Sequence, residues 1–75
     1  MNRTRRKKLQ EVITQLEACN SSLENIRDDE DYARENTPEN LQGTEAFEAS
    51  ETCSDALSDA IDSIQEAIDG LLGFT

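Results

Sequence analysis

Apolar residues recur at alternating spacings of three and four in both halves of this 75-residue chain. This spacing places their side chains along one side of an α-helix, and its persistence over several turns is typical of helices that pack side by side. The repeat therefore predicts two helices, each with an apolar seam. The seam positions are Leu9, Val12, Leu16, Cys19, Leu23 and Ile26 in the first half, and Cys53, Leu57, Ile61, Ile64, Ile68 and Leu71 in the second.

Local signals set the ends of the two predicted helices. The first is expected over about 3–35, because no proline or glycine precedes Pro38 and the residue before a proline avoids helical geometry. The second is expected over about 44–72, with the Thr44 side chain as its N-terminal cap. Gly73 predicts a left-handed end to this helix, with Phe74 folded back on Ile68.

The segment 36–44 predicts a tight connection between the helices. Thr37 and Pro38 suit the cap and first position of a short helical turn, which Gly43 would end. Leu41 and Phe47 are expected to plug this end of the bundle. A short connection makes the helices antiparallel neighbours, so residues 1–75 are predicted to form one all-α domain, an antiparallel helical hairpin.

A single hairpin has little interior, and a chain this short buries only about 60% of its unfolded surface. Small scaffolds therefore depend on disulfides, metals or partner subunits for stability. With two cysteines and no histidine, the composition favours partner subunits. We expect the hairpin to form homo-oligomers, with a four-helix bundle of two hairpins as the default and higher oligomers left open.

The two cysteines test the geometry of the hairpin. In a hairpin that turns near Asn40, Cys19 would lie opposite Ile61 and Cys53 opposite Arg27. The offset of eight residues is about 12 Å along a helix, beyond the reach of a disulfide. Both thiols are expected to fill core positions in a reduced compartment, and a redox or metal role is the alternative.

The net charge of −10 is distributed unevenly, because five of the seven basic residues lie in the first eight positions. Such a cluster could bind phosphates, since guanidinium groups match phosphate oxygens. Two alternatives are pairing with Glu66 and Asp69 at the end of the second helix, and a disordered basic tail. The acidic body disfavours duplex DNA and leaves a small anionic nucleotide as the candidate ligand. The candidate anion-binding residues are Arg3, Arg5, Arg6, Lys7 and Lys8.

A row of acidic residues follows the second helix on the side opposite its seam and has no lysine among its members. One interpretation is a solvated outer face. The other is a binding surface for a basic partner protein, of which mimicry of a nucleic-acid backbone is one version. The candidate partner-binding residues are Asp55, Asp59, Asp62, Glu66 and Asp69.

The sequence offers few groups for catalysis. It has no histidine to activate a nucleophile and no glycine-rich phosphate loop. All-helical nucleotide pyrophosphohydrolases hold magnesium with carboxylates at similar spacings, but these pairs lie mostly away from the seam here. We therefore predict no enzyme activity, no cofactor and no metal site. The spaced pairs are Glu45 with Glu48, Glu48 with Glu51, and Asp59 with Asp62.

No apolar run approaches the roughly 20 residues that cross a bilayer, and no apolar stretch follows the basic opening as in a signal peptide. The sequence therefore predicts a cytoplasmic protein without a membrane partner.

Two stretches resemble small acidic helical proteins encoded by phages, prophages and mobile elements of Gram-positive bacteria. The turn Pro38-Glu39-Asn40-Leu41-Gln42-Gly43-Thr44-Glu45 is similar to their LPENLQGSE turn, with Thr37 where that pattern has leucine. Residues 55–68, DALSDAIDSIQEAI, are similar to their second helix. The resemblance spans most of the chain and transfers no functional residues.

What the resemblance implies is a biological context. Small phage proteins without catalytic groups often act by occupancy, blocking a host enzyme or sequestering a nucleotide signal of bacterial immunity. The expected function is therefore a non-catalytic, anti-defence binding protein, directed at a host protein or a small nucleotide. The alternatives are a purely structural oligomerisation module and an acidic nucleic-acid mimic.

Overall fold

The computed structural model describes all residues, 1–75, and consists of two long helices with a short connection. Helix α1 is Arg3–Glu35 and helix α2 is Glu45–Leu72, with a single 3-10 turn, Glu39–Leu41, between them. The helices pack against each other as an antiparallel hairpin with a long axis of 59 Å. The predicted all-α hairpin is confirmed, and the bounds of both helices agree with the prediction to within one residue.

Side-chain caps begin both helices. The Asn2 side chain accepts a hydrogen bond from the backbone N–H of Arg5 at 2.8 Å, and the Thr44 hydroxyl accepts one from Phe47 at 3.2 Å. Each bond satisfies an N–H group that has no partner within its helix. The predicted cap at Thr44 is confirmed, as is the end of α1 near Asn36, which is the C-terminal cap residue.

Helix α2 ends at Leu72 as predicted, but the predicted geometry of this end is wrong. Gly73 has φ −63° and ψ −14°, which is right-handed helical geometry, and Phe74 is 62% exposed instead of folded back on Ile68. The backbone N–H groups of Phe74 and Thr75 bond to carbonyls three residues earlier, at 3.0 and 3.3 Å. These tighter turns satisfy the last carbonyls, so no left-handed residue is needed.

The predicted connection also differs in detail. Thr37 does not cap the 3-10 turn, because its hydroxyl donates to the Ala33 carbonyl of α1 at 3.1 Å. Pro38 precedes the turn as its extended cap residue, with ψ 144°, instead of occupying its first position. Thr37 therefore completes the end of α1, and the 3-10 turn begins one residue later than the sequence suggested.

The core of the hairpin is three isoleucines, Ile13, Ile61 and Ile68, which are 3%, 7% and 2% exposed. Half-buried side chains flank them along the same interface and belong to the predicted seams: Leu9, Leu16, Leu23, Leu57, Ile64 and Leu71. The seam of α1 thus runs through Leu9, Ile13, Leu16, Asn20 and Leu23, which keeps the predicted rhythm but turns the helix toward Ile13.

Four predicted seam residues are not in the core. Val12 and Ile26 are 46% and 53% exposed, and the free thiols of Cys19 and Cys53 are exposed as well. The physical reason is that each helix is rotated about its own axis, by about one residue, relative to the predicted seam. Ile13, Asn20 and Arg27 face α2 in place of Val12, Cys19 and Ile26, and Ser54 faces α1 in place of Cys53. The prediction that both thiols fill core positions is wrong.

Asn20 is a polar residue inside the seam, only 5% exposed. Its amide Nδ2 donates to the backbone carbonyl of Ile61 on α2 at 3.1 Å, while its Oδ1 is buried without a hydrogen-bond partner. A buried asparagine of this kind favours one alignment of two helices at a cost in stability. The bond pairs Asn20 with Ile61, one residue from the predicted alignment of Cys19 with Ile61.

Replacing Asn20 with leucine is therefore expected to stabilise the hairpin while making its alignment less specific. The change removes an unpaired buried carbonyl oxygen, whose desolvation costs about 1–3 kcal/mol. Thermal unfolding followed by circular dichroism should show a higher Tm, and native mass spectrometry a broader set of oligomers. A lower Tm would show that the bond to Ile61 outweighs the cost of the unpaired oxygen.

Candidate binding surfaces

The residues displaced from the seam meet on one broad side of the hairpin. Val12, Cys19 and Ile26 each precede a seam residue of α1, and Cys53 and Ala60 each precede a seam residue of α2. Antiparallel helices are related by an approximate twofold axis perpendicular to the plane of the hairpin, so equivalent positions emerge on the same side. We call this side the apolar face; it comprises Val12, Cys19, Ile26, Ala33, Ala46, Cys53, Ala60, Ala67 and Phe74.

From Val12 onward the apolar face contains no charged residue, although about a third of the chain is charged; Arg5, seven residues before Val12, is the next position of the same stripe. Its bulky members are on α1 and at Phe74, while α2 contributes alanine and cysteine. The equivalent positions on the other side of the hairpin are polar except for Leu72, and they include Glu17, Glu24 and Glu51. Contiguous apolar surface on a small protein is typical of an interaction site.

The row of carboxylates on α2 forms a second surface, which we call the acidic ridge: Asp55, Asp59, Asp62, Glu66 and Asp69. All five residues are exposed, and none is in a salt bridge. Their sole side-chain hydrogen bond is from Gln65 to Asp69, at 3.0 Å. Fourteen residues separate the ends of the ridge, a distance of about 21 Å along the helix. The ridge lies on the outer edge of α2, away from both the seam and the apolar face.

The five basic residues Arg3, Arg5, Arg6, Lys7 and Lys8 are helical and exposed. They form the first two turns of α1, so a disordered tail is not what the structure shows. Neither salt bridge of the chain involves them or Glu66 and Asp69, since the pairs are Arg27–Asp28 at 3.5 Å and Arg34–Asp31 at 2.8 Å. These five residues, which we call the basic tip, thus have no carboxylate partner within the chain.

A hydrogen-bonded cluster joins the helices near the turn. The Arg34 guanidinium donates to the hydroxyls of Ser54 and Ser50, at 2.8 and 3.1 Å, and to the Asp31 carboxylate at 2.8 Å. Ser54 in turn donates to Asp31 at 2.7 Å. We call these four residues the polar clasp. The hydrogen bonds from Ser54 and Arg34 hold the pKa of Asp31 below its ordinary value of 3.8.

The polar clasp was missed in the sequence, although its elements were visible. Arg34 is the last basic residue of the chain, and Asp31 lies three residues before it, on the same side of a helix. Ser50 and Ser54 interrupt the apolar repeat of α2 at seam positions. Polar residues at seam positions of both helices, near the same end of a hairpin, signal a polar contact between them.

A groove of about 410 Å³ opens beside the clasp at the turn end. Leu41 and Phe47 were expected to plug this end, but Leu41 is 45% exposed and both residues line the groove instead. The groove is mostly apolar, with the Arg34 side chain and two threonines at its margin. Its lining also includes Ala33 and Ala46, so it is continuous with the apolar face.

The carboxylate pairs considered for metal binding do not converge into a cluster. The structure brings together no three carboxylate or thiol side chains that could hold an ion. Neither helix contains a segment long and apolar enough to span a bilayer.

No family model matches this sequence, and neither a curated protein nor a solved structure shows significant similarity to it.

Proposed function

We propose that this chain is a non-catalytic binding protein that works as a homo-oligomer and acts by occupying the surface of a partner protein. The observation that carries the proposal is the presence of two unpartnered surfaces on different sides of one rigid hairpin. The apolar face has no covering element within the chain, and the acidic ridge has no cation beside it.

The positions of these surfaces let them serve separate roles. A second copy that covers the apolar face leaves the outer edge of α2 in solvent, because the ridge points away from that face. Self-association would supply the buried area that a lone hairpin lacks. The ridge would then present several copies of the same charge pattern from one assembly.

The charge of the ridge selects the kind of partner. Exposed carboxylates of one sign, fixed at helical spacing, attract a surface rich in lysine and arginine and accelerate its association. In the phage-type context indicated by the turn and second-helix resemblance, the partner is a host protein, blocked in the bacterial cytoplasm as part of an anti-defence role.

Neutralising the ridge is expected to abolish partner binding without unfolding the hairpin. The variant Asp55→Asn/Asp59→Asn/Asp62→Asn removes three exposed carboxylates that repel one another, so stability should be kept or raised. Tagged protein expressed in phage-challenged bacteria should lose about tenfold or more of its bound partner, quantified by mass spectrometry of the isolated complex.

The matched control removes the same number of negative charges from α1 instead of from the acidic ridge. Glu17→Gln/Glu24→Gln/Asp28→Asn alters three exposed carboxylates of α1 and should retain the partner. Equal loss in both variants would show that net charge alone governs capture. Full retention by the ridge variant would refute the ridge as the binding surface.

A second candidate function rests on the unpaired basic tip. Five exposed cations on two helical turns could hold a small nucleotide and sequester it as a signal. Native mass spectrometry of protein from phage-challenged cells would show added mass of nucleotide size. That mass should disappear in Arg5→Glu/Arg6→Glu. If neither this variant nor the ridge variant changes any binding, the purely structural alternative stands.

A further inference from the structure

Two features at opposite ends of the apolar face are complementary in shape and polarity. Phe74, 62% exposed, extends from the open end of the hairpin, where α1 begins and α2 ends. It lies two residues beyond the end of α2, in the 3-10 turn that ends the chain at the open end of the apolar face. The apolar groove lies at the turn end of the same face. Phe74 cannot reach the groove of its own chain, because the two lie at opposite ends of the 59 Å hairpin.

We propose that two copies of this chain pair through their apolar faces, head to tail, so that Phe74 of each copy occupies the turn-end groove of the other. The inference rests on the self-association in the proposed function and specifies its geometry. A twofold axis across the middle of the hairpin, parallel to the face, generates this arrangement and leaves both acidic ridges in solvent.

The size of the face suits a stable dimer. The hairpin measures 59 Å by 14 Å between Cα atoms in the plane of the face, a footprint of about 800 Å². Each partner in a standard protein interface contributes about the same area. The apolar positions extend along most of both helices, from Val12 to Ala33 and from Ala46 to Phe74, so only full overlap of the two copies covers them.

Charge complementarity decides between the two possible directions. The basic tip lies at the open end, and carboxylates surround the turn end. A head-to-tail pair brings each basic tip to the acidic turn end of the other copy, whereas a head-to-head pair would place it beside a second basic tip with only two carboxylates nearby, those of Glu66 and Asp69. The turn-end carboxylates are those of Glu35, Glu39, Glu45 and Glu48.

The side chains along the face are also compatible with this direction. With full overlap, the twofold axis crosses α1 between Cys19 and Ile26, which places Val12 near Ala33 of the second copy and Cys19 near its Ile26. Each contact then joins a bulky side chain to a smaller one. The alanines of α2 allow the two copies of that helix to approach closely.

The first test removes the proposed anchor. Phe74→Ala should raise the dimer dissociation constant about 100-fold, measured by sedimentation equilibrium, because a symmetric dimer loses the contact twice. The exposed position outside α2 keeps the monomer folded, which circular dichroism verifies. Tyr32→Ala is the matched control, since Tyr32 is 70% exposed on the outer edge of α1 and should leave the constant unchanged. An unchanged constant for Phe74→Ala would overturn the groove contact.

The second test measures direction. A spin label at Thr4→Cys, in a chain carrying Cys19→Ala and Cys53→Ala so that the face stays apolar, reports the distance between the two open ends of a dimer by pulsed electron paramagnetic resonance. Head-to-tail pairing predicts a distance comparable to the 59 Å length of the hairpin. A dimer with a distance below half that length would overturn the proposed direction and leave self-association intact. A monomer at tens of micromolar would overturn both the pairing and the self-association on which it rests.

Discussion

Replacing Ile68 with aspartate is expected to unfold the hairpin almost completely at 25 °C. Ile68 is 2% exposed and is one of only three buried apolar side chains, so the change loses a core contact and buries a charge without a partner. The expected loss is about 4 kcal/mol or more, which consumes most of the stability available to a domain of this size. The helical circular dichroism signal at 222 nm should fall to that of an unfolded chain.

The control for this prediction is Leu72→Asp. Leu72 lies one turn further along α2, is 49% exposed, and gives the same change in size and net charge. Its Tm should remain within a few degrees of the unmodified chain. If Ile68→Asp kept its helicity and a similar Tm, the assignment of the core to Ile13, Ile61 and Ile68 would be wrong.

Replacing Arg34 with alanine is expected to produce the next largest effect, a destabilisation of about 2 kcal/mol. The guanidinium supplies four of the hydrogen bonds at the turn end, and its removal leaves the Asp31 carboxylate without its cation. The loss should lower the Tm by roughly 10 °C in a domain of this size. Arg5→Ala is the control, because Arg5 is exposed, lies far from the clasp and forms no salt bridge, so its Tm should change little.

The pH dependence of this loss checks its cause. Because the pKa of Asp31 is lowered in the folded state, its contribution is present above its ordinary value of 3.8 and disappears as the pH falls through the folded value. The difference in Tm between the unmodified chain and Arg34→Ala should therefore be constant near neutral pH and shrink below about pH 4. A difference independent of pH would assign the loss to packing of the arginine stem instead of its charge.

The helix ends could be predicted because their causes are local. The Thr44 side chain caps whatever helix follows it, and Pro38 limits α1 whatever packs against it. The last turn of α2 was mispredicted because its carbonyls can be satisfied in two ways. Glycine permits the left-handed ending without requiring it, and here the 3-10 hydrogen bonds of Phe74 and Thr75 suffice.

The side of α1 that faces α2 could not be predicted from hydrophobicity. Val12, Cys19 and Ile26 are the more apolar choice, yet Ile13, Asn20 and Arg27 occupy the interface. The apolar repeat of α1 is compatible with two different sets of residues facing α2, which differ by one residue along the helix. The choice depends on contacts between the halves, such as the bond from Asn20 to Ile61 and the polar clasp, which no single helix encodes.

The same distinction between local patterns and contacts between the helices decides which surfaces could be predicted. The acidic ridge and the basic tip are visible in the sequence as rows of like charge, because charge at helical spacing is a local pattern. The apolar face was not anticipated as a separate surface. Val12, Cys19, Ile26 and Cys53 were assigned to the core, and only the packing of α1 on α2 shows that they remain exposed.

The position of the polar clasp determines where the hairpin opens. Its bonds join residues 16 to 23 apart in sequence, whereas Asn20 and Ile61 are 41 apart. Since closing a longer loop costs more entropy, contacts between the helices should form first near the turn and be lost first at the open end. Amide hydrogens near the open end should therefore exchange fastest. In a head-to-tail pair, the open end of each copy packs against the turn end of the other, which the polar clasp stabilises. Dimer formation should therefore slow amide hydrogen exchange most at the open end.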